Sequence, residues 1–207
     1  MRLFVTGGSA SGKSEYAGRS AEALAGDRPV LYIATLADRS EESRKRVARH
    51  EALRRDGAAD YDVAECFSLA DLEELGGRRP VRFPYGAVLF DSIDGFTADV
   101  MFGMAPDFSG PEDFQPDSYA ERSAGAILEI SSLLAEHAVF VIDDIFRDGG
   151  RYDKFTRDYM RYTALTGRRI AEKCGLAAEV VCGVAVPLKG ETDEFPEIDS
   201  YNAVALH

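Results

Sequence analysis

The 207-residue sequence predicts an α/β fold in which a mainly parallel sheet carries helices on both faces. Short apolar runs alternate with segments of helical spacing along most of the chain. Runs such as residues 30–34 are apolar without interruption, which is typical of strands covered on both faces. The first run leads through a glycine-rich loop into a helical segment. In a sheet of this kind, ligands bind at the carboxyl ends of the strands.

Six segments are predicted as strands because each is a short apolar run bounded by turn-forming residues. They are residues 2–6, 30–34, 62–66, 87–90, 138–142 and 179–186. After Lys189 the chain becomes acidic and irregular, and residues 201–206 have the composition of a further edge strand.

Five segments have the spacing of helices. They are residues 13–25, 39–55, 69–75, 120–136 and 153–174. Gly26, Gly57 and Gly175 lie just past the ends of three of them, where glycine commonly stops a helix.

Residues 105–118 interrupt the alternation with three prolines, several acidic residues and two phenylalanines, Phe108 and Phe114, with Tyr119 just after. We expect an ordered insert or lid there. The whole chain, residues 1–207, is expected to form a single nucleotide-binding domain that includes this insert, because its length and 45% hydrophobic content suit one core.

The charge argues against several classes of partner. A net charge of −12 disfavours a surface for nucleic acid or anionic membranes. No apolar stretch reaches the ~18 residues of a membrane span. Cys66, Cys174 and Cys182 are scattered and form no C-x-x-C pair. We therefore expect a cytoplasmic protein without a secretory signal peptide.

The glycine-rich loop has the sequence of a phosphate-binding P-loop, G-x-x-x-x-G-K-S. Such a loop turns backbone N–H groups toward phosphate oxygens, and the helix that follows adds the positive end of its dipole. Lys13 is expected to reach the β- and γ-phosphates, and the Ser14 hydroxyl to bind Mg²⁺. The candidate phosphate-binding residues are Gly7, Gly8, Ser9, Ala10, Ser11, Gly12, Lys13 and Ser14.

A second candidate group lies in the basic segment 39–55. On a helix, Arg46, His50 and Arg54 share one face. Neighbouring guanidinium groups favour a neutral imidazole, which is a nucleophile, and they also bind phosphate. From the pattern alone, a solvated charged helix with an idle histidine is the simpler interpretation.

Acidic residues follow two predicted strands. Asp91 ends the fourth strand, and Asp143 and Asp144 end the fifth. A carboxylate in this position can hold Mg²⁺ beside a P-loop, or it can cap the following turn. The sequence does not show which of these aspartates has which role.

Taken together, these segments resemble the bifunctional adenosylcobinamide kinase/adenosylcobinamide-phosphate guanylyltransferase family of cobalamin biosynthesis. The similarity covers about residues 2–189. Residues 5–14 resemble the family's V-T-G-G-x-R-S-G-K-S, residues 32–35 its Y-I-A-T, residues 46–54 its R-I-x-x-H-x-x-x-R, residues 64–65 the acidic end of its third strand, residues 89–92 its L-L-D-C and residues 183–189 its G-x-P-x-x-L-K.

The resemblance implies a RecA-like P-loop NTPase fold, a homotrimer, and two reactions. ATP or GTP phosphorylates adenosylcobinamide, and GMP then passes from GTP to the product through a guanylyl group on His50. Lys13 is the second catalytic residue, and Ser14 and Asp91 are the implied Mg²⁺ ligands. The further nucleotide-binding residues that it implies are Ala34, Thr35, Leu36, Arg46, Glu51, Arg54, Glu65 and Asp91.

Several positions depart from the family pattern. Ala10 replaces its P-loop arginine, and residues 143–151 replace its N-E-V-G-x-G-I-V-P loop, with Asp143 at the asparagine. Ser92, Asp94 and Asp99 replace cysteine, threonine and asparagine. Two other functions also fit the P-loop: a kinase for another small alcohol, and a non-catalytic GTP-binding protein.

Overall fold

A computed structural model describes residues 1–35, 59–78, 84–103, 114–146 and 149–196. Within them the strands are β1 (Arg2–Gly7), β2 (Val30–Ala34), β3 (Tyr61–Glu65), β4 (Tyr85–Asp91), β5 (Ala135–Asp143), β6 (Leu176–Val181) and β7 (Val184–Lys189). The helices are α1 (Lys13–Ala25), α2 (Leu69–Arg78), α3 (Ile93–Phe102), α4 (Pro116–Leu134) and α5 (Lys154–Lys173), with a short 3₁₀ turn at Thr192–Glu194.

The seven strands form one sheet in the order β3-β2-β4-β5-β1-β6-β7. Every neighbouring pair is parallel except β6 and β7, which pair antiparallel. The predicted mainly parallel sheet is therefore confirmed. The carboxyl ends of the six parallel strands meet at one edge, which is where this topology places a ligand.

The alternation of side chains along the strands divides the core into two layers. On β1, Leu3 and Val5 pack on the same side as Tyr16 and Ala17 of α1. Phe4, between them in sequence, points into the opposite layer. The same alternation recurs on β2, β4 and β5.

Helices α2 to α5 cover the opposite face of the sheet from α1. Phe90 and Phe140 of the sheet are fully buried beneath them, as is Tyr162 of α5. The Tyr162 hydroxyl lies 2.6 Å from the Ser123 hydroxyl of α4, so its polar end is satisfied inside the core. The prediction of helices on both faces is confirmed.

The C-terminal strand differs from the prediction. Residues 179–186 are not one strand, because the chain reverses at Cys182 and Gly183 and continues as β7. Both turn residues have positive φ, 49° and 80°. Two-residue hairpin turns favour this conformation because it matches the twist of the strands. The reversal escaped prediction because apolar residues continue on both sides of the turn.

Helix α3 was not predicted. It is buried on several sides, at Ile93, Phe96, Val100 and Met101, so it lacks the polar face that marks an amphipathic helix. One local signal was present, since the Ser92 side chain caps the helix by accepting a hydrogen bond from the Gly95 N–H at 3.3 Å.

The described part of the predicted insert is its end, residues 114–118. Phe114 is buried, with its ring 4.7 Å from that of Tyr119 and 5.4 Å from that of Tyr162. Helix α4 begins at Pro116, earlier than the predicted residue 120, because proline suits the first turn of a helix. Residues 104–113, the predicted helix 39–55 and the predicted strand 201–206 lie outside the described residues. None of the described helices has the length and apolarity needed to cross a membrane.

The close approach of α1 to β4 gives a test of the packing. A Cβ atom on Gly86 would lie 2.6 Å from both the Cα and the carbonyl oxygen of Ala25. We expect Gly86→Ala to lower the free energy of unfolding by about 1–3 kcal/mol, because backbone must move. Gly125→Ala, which meets open space on α4, is the control and is expected to raise stability by about 0.5–1 kcal/mol. Urea unfolding measures both, and equal stability of the two variants would contradict this packing.

Candidate active site

The loop between β1 and α1 has the backbone of an anion-binding site. The Ser11 N–H donates to the Gly8 carbonyl at 3.2 Å, and the Tyr16 N–H donates to the Gly12 carbonyl at 3.0 Å. Ala10 and Gly12 adopt the left-handed conformation, with φ of 58° and 97°. Left-handed residues in such loops turn neighbouring N–H groups toward a common side. For an alanine this conformation costs about 1–2 kcal/mol, a strain found mainly at functional loops.

Two neighbouring segments hold this loop in place. The Asp144 N–H, just past β5, donates to the Gly7 carbonyl at 3.0 Å, and the Gly183 N–H of the β6–β7 turn donates to the Ser11 carbonyl at 2.8 Å. A Cβ atom at Gly7 would lie 2.5 Å from the Val180 carbonyl oxygen. Glycine is therefore required at position 7 by the close approach of β6.

Lys13 is the buried cation of the site. Its residue is only 5% exposed, and its ammonium donates to the Gly8 carbonyl at 3.3 Å. It also forms an ion pair with the Asp143 carboxylate at the end of β5. A buried charge costs several kcal/mol unless it is paired. Asp143 supplies that pairing.

A second carboxylate lies behind Asp143. The Asp94 side chain, in the first turn of α3, accepts a hydrogen bond from the Asp143 N–H at 2.9 Å. Both residues are buried. Burial raises the pKa of Asp94 to about 6, and the negative charge of Asp143 adds to the shift. The Tyr159 hydroxyl donates to the Asp94 carbonyl at 3.2 Å, and burial raises the pKa of Tyr159 to about 12.

The ends of β2, β3 and β4 form the adjoining part of the site. In the sheet register Ala34 lies between Glu65 and Asp91. The buried Thr35 hydroxyl donates to the Ser92 carbonyl at 2.7 Å and accepts from the Ser92 N–H at 2.6 Å. These bonds fix the chain just after Asp91. Glu65 is exposed, whereas Asp91 is buried.

The structure brings the predicted residues that it describes to one edge of the sheet. Residues 7–14 form the P-loop, and Ala34, Thr35, Glu65 and Asp91 follow the neighbouring strands. Strand β5 lies between β1 and β4, so Asp91 is one strand removed from the loop while Asp143 is next to it. The remaining predicted residues lie outside the described part of the chain and stay predictions: Leu36, Arg46, His50, Glu51 and Arg54.

Sequence reasoning left two contacts unseen: the hydrogen bond from Asp143 to Asp94 and the ion pair of Asp143 with Lys13. Asp94 was noticed only as a departure from the family pattern, because its helix was not predicted. For Asp143 the sequence left a metal ligand and a turn cap open. The pairing with Lys13 follows from the order of the strands, which the sequence does not reveal. In the described part of the chain, no three or more His, Cys, Asp or Glu residues are grouped to hold a metal ion by themselves.

Comparison with known proteins identifies the family of the chain. The family model for cobinamide kinase / cobinamide phosphate guanyltransferase, CobU, matches residues 3–188. The chain belongs to this family. It is also 28% identical over 197 residues to the bifunctional adenosylcobalamin biosynthesis protein CobU of Salmonella typhimurium, an alignment that covers 91% of this chain and all of the relative.

Among solved structures, a KaiC-like protein from Pyrococcus horikoshii aligns with 86% of this chain and 69% of its own, with a TM-score of 0.45 and 11% identity.

Family membership confirms the predicted enzyme class. The chain is a kinase and nucleotidyltransferase of the CobU family in adenosylcobalamin biosynthesis. The prediction of a P-loop α/β fold agrees with the strand, loop and helix at residues 2–25.

The buried pair of carboxylates predicts a dependence of stability on pH. The folded-state pKa of Asp94, about 6, lies above its ordinary value of 3.8, so the folded protein binds more protons between these values. Its contribution to stability therefore falls as the pH rises through this window and is lowest above pH 6.

Asp94→Asn removes this titration and keeps an oxygen that accepts from the Asp143 N–H. In the absence of metal and nucleotide, we expect the free energy of unfolding of the variant to rise relative to that of the parent as the pH increases, by up to about 3 kcal/mol. Urea midpoints at pH 4 and pH 7.5 measure the difference. The exposed Glu121→Gln is the control, and a difference for Asp94→Asn that does not change with pH would contradict the expectation.

Proposed function

We propose that this protein carries out both reactions of its family on one nucleotide-binding edge. It phosphorylates adenosylcobinamide with ATP or GTP, and it then transfers GMP from GTP to adenosylcobinamide phosphate through a guanylyl group on His50. The observation that carries the proposal is the buried Lys13 at the mouth of a strained, glycine-rich loop. A lysine in this position can leave its carboxylate partner and bind the phosphates of a nucleotide instead.

An unsatisfied hydroxyl group in the loop supports triphosphate binding. The Ser11 hydroxyl is buried and has no hydrogen-bond partner among the described residues. A buried polar group without a partner costs about 1–3 kcal/mol. A bound phosphate would accept from this hydroxyl and would replace Asp143 as the counterion of Lys13.

The oxygen donors at this edge suit Mg²⁺. Ser14 follows Lys13 in the first turn of α1, and Asp91 ends β4. Hydroxyl and carboxylate oxygens are ligands that Mg²⁺ accepts, and nucleotide phosphates and water complete its shell. We propose that these two residues hold the ion with the nucleotide. When bound, Mg²⁺ neutralises the charge that develops on the phosphate oxygens.

The guanylyl transfer divides one hard step into two. A nitrogen of neutral His50 attacks the α-phosphorus of GTP, the bond to the bridging oxygen breaks, and pyrophosphate leaves. A phosphate oxygen of the acceptor then attacks the same phosphorus, and the phosphorus–nitrogen bond breaks to restore the imidazole. Arg46 and Arg54 neutralise the phosphates during both steps.

We assign the base and ribose of the nucleotide to the ends of β2 to β4. The residues proposed to contact it are Ala34, Thr35, Leu36, Glu51, Glu65 and Asp91. The register of the strands supports four of these assignments, because Ala34 lies beside Glu65 and Asp91 and directly before Thr35. We further propose that the protein acts in the cytoplasm as a homotrimer, which light scattering on the purified chain would detect as three times the monomer mass.

The covalent intermediate gives the main test. Incubated with Mg²⁺ and GTP labelled at the α-phosphate, the protein should retain label that acid removes and base does not. His50→Ala should abolish the label because the nucleophile is gone. Lys13→Ala should also abolish it, because phosphate binding is lost. Gel counting and mass spectrometry of the labelled peptide measure these outcomes.

His137→Ala is the matched control, because His137 lies near the start of β5, at the other end of the strand from Asp143, and contacts the N-terminus. It should keep the label. Phosphoryl transfer from γ-labelled nucleotide without any covalent label would indicate a kinase alone. Nucleotide binding without transfer to a corrinoid would indicate a GTP-binding protein that is not an enzyme.

A further inference from the structure

We propose that Asp143 is the general base of the phosphorylation step and that Asp94 positions it. This inference rests on the proposed function, because it requires an acceptor hydroxyl beside a nucleotide in the P-loop. It assigns a role to two buried aspartates beside the lysine of the P-loop.

The register of the sheet places Asp143 at the start of the P-loop. Gly7 and Asp143 are paired positions of the parallel strands β1 and β5. The Asp143 carboxylate contacts the Lys13 ammonium, and its side chain retains 12% exposure. A P-loop lysine binds the β- and γ-phosphates. The carboxylate therefore lies one ammonium group away from the phosphoryl group that is transferred.

Nucleotide binding would draw Lys13 away from this carboxylate. When Lys13 turns to the phosphates, its ion pair with Asp143 is broken. A carboxylate facing phosphate oxygens is repelled unless a proton lies between them. The acceptor hydroxyl supplies that proton, so a hydroxyl group between Asp143 and the γ-phosphate would remove the repulsion.

The chemical step balances without a further reactant. The hydroxyl proton passes to an Asp143 oxygen while the hydroxyl oxygen bonds to the γ-phosphorus. The bond from the γ-phosphorus to the bridging oxygen breaks, and its electron pair remains on the nucleoside diphosphate, where Lys13 balances the charge. Asp143 then releases its proton to water.

Asp94 fixes the main chain from which Asp143 projects. Its carboxylate accepts from the Asp143 N–H at 2.9 Å. Its own carbonyl accepts from the Thr97 hydroxyl at 3.1 Å and from the Tyr159 hydroxyl at 3.2 Å. The Thr97 hydroxyl also lies 2.8 Å from that of Thr163 on α5. Asp94 is thus tied to two helices, and it acts on the reaction through Asp143.

The two aspartates are joined in one buried place, because the Asp94 carboxylate accepts from the Asp143 N–H and the Asp143 carboxylate pairs with Lys13. A carboxylate accepts a proton, and an amide in its place does not. Asp143 therefore supplies a proton acceptor beside the lysine of the P-loop.

The test separates the two reactions of the full-length protein. Asp143→Asn should lower the transfer of γ-phosphate to adenosylcobinamide by at least about 100-fold, the usual contribution of a general base. Labelling from α-labelled GTP should stay within about threefold of the parent, because that step uses His50. Asp143→Glu, which keeps a carboxylate, should recover part of the kinase rate, and thermal unfolding checks that each variant is folded.

Asp27→Asn is the matched control, because Asp27 is exposed just past the carboxyl end of α1, at the other end of that helix from the P-loop. It should leave both reactions unchanged. Among the described residues, Lys13 from α1, Asp94 from α3 and Tyr159 from α5 face Asp143. Asp94→Asn keeps an oxygen that accepts from the Asp143 N–H, so it should keep most of the maximal kinase rate.

Asp94→Ala removes the hydrogen bond and should lower the kinase rate at least tenfold in the parent, but not further in Asp143→Asn. Additive losses would overturn the positioning role. Equal loss of both reactions in Asp143→Asn, with a raised Mg²⁺ requirement, would make Asp143 a metal ligand and overturn its role as base. A parent protein that phosphorylates no corrinoid would instead refute the proposed function.

Discussion

The burial of the Lys13 ammonium is the constraint on which the rest of the site depends. A cation at that depth must have a counterion, and the fold provides Asp143 at the end of the adjacent strand. The pairing is possible because β5 lies beside β1, which places Asp143 next to the P-loop. It also prepares the site for a triphosphate, because only a stronger anion can take the lysine from its carboxylate.

The same edge of the sheet collects groups from distant parts of the chain. The β6–β7 turn donates to the Ser11 carbonyl, and α3 presents Asp94 to the main chain of Asp143. Neither segment is adjacent to the P-loop in the sequence. The shape of the loop therefore depends on more than its motif, since the segment after β5 and the β6–β7 turn both hydrogen-bond to it. The chain that carries this edge belongs to the cobinamide kinase / cobinamide phosphate guanyltransferase family.

Much of the architecture could be predicted from local patterns. The P-loop, the central strands and helix α1 follow from apolar runs, glycine stops and the order of the motif. The buried helix α3 could not be predicted, because side chains such as Phe96 and Val100 face protein rather than water. The β6–β7 hairpin was hidden in a continuous apolar run, although its Cys-Gly turn carried a weak signal. At the site, Asp91 and Asp143 were both recognised. The residue pattern left their roles open, and the resemblance alone assigned Asp91 to Mg²⁺ and the nucleotide.

By itself, the sequence determined the class of fold, the phosphate-binding loop and the resemblance to a corrinoid kinase and guanylyltransferase. These are local properties, because a glycine spacing or an apolar run needs no distant partner to be recognised. Only the tertiary structure decided that β5 lies next to β1, that Lys13 is paired with Asp143 and that Asp94 stands behind it. Those facts depend on the order of strands in the sheet, and that order is set by how the whole chain packs.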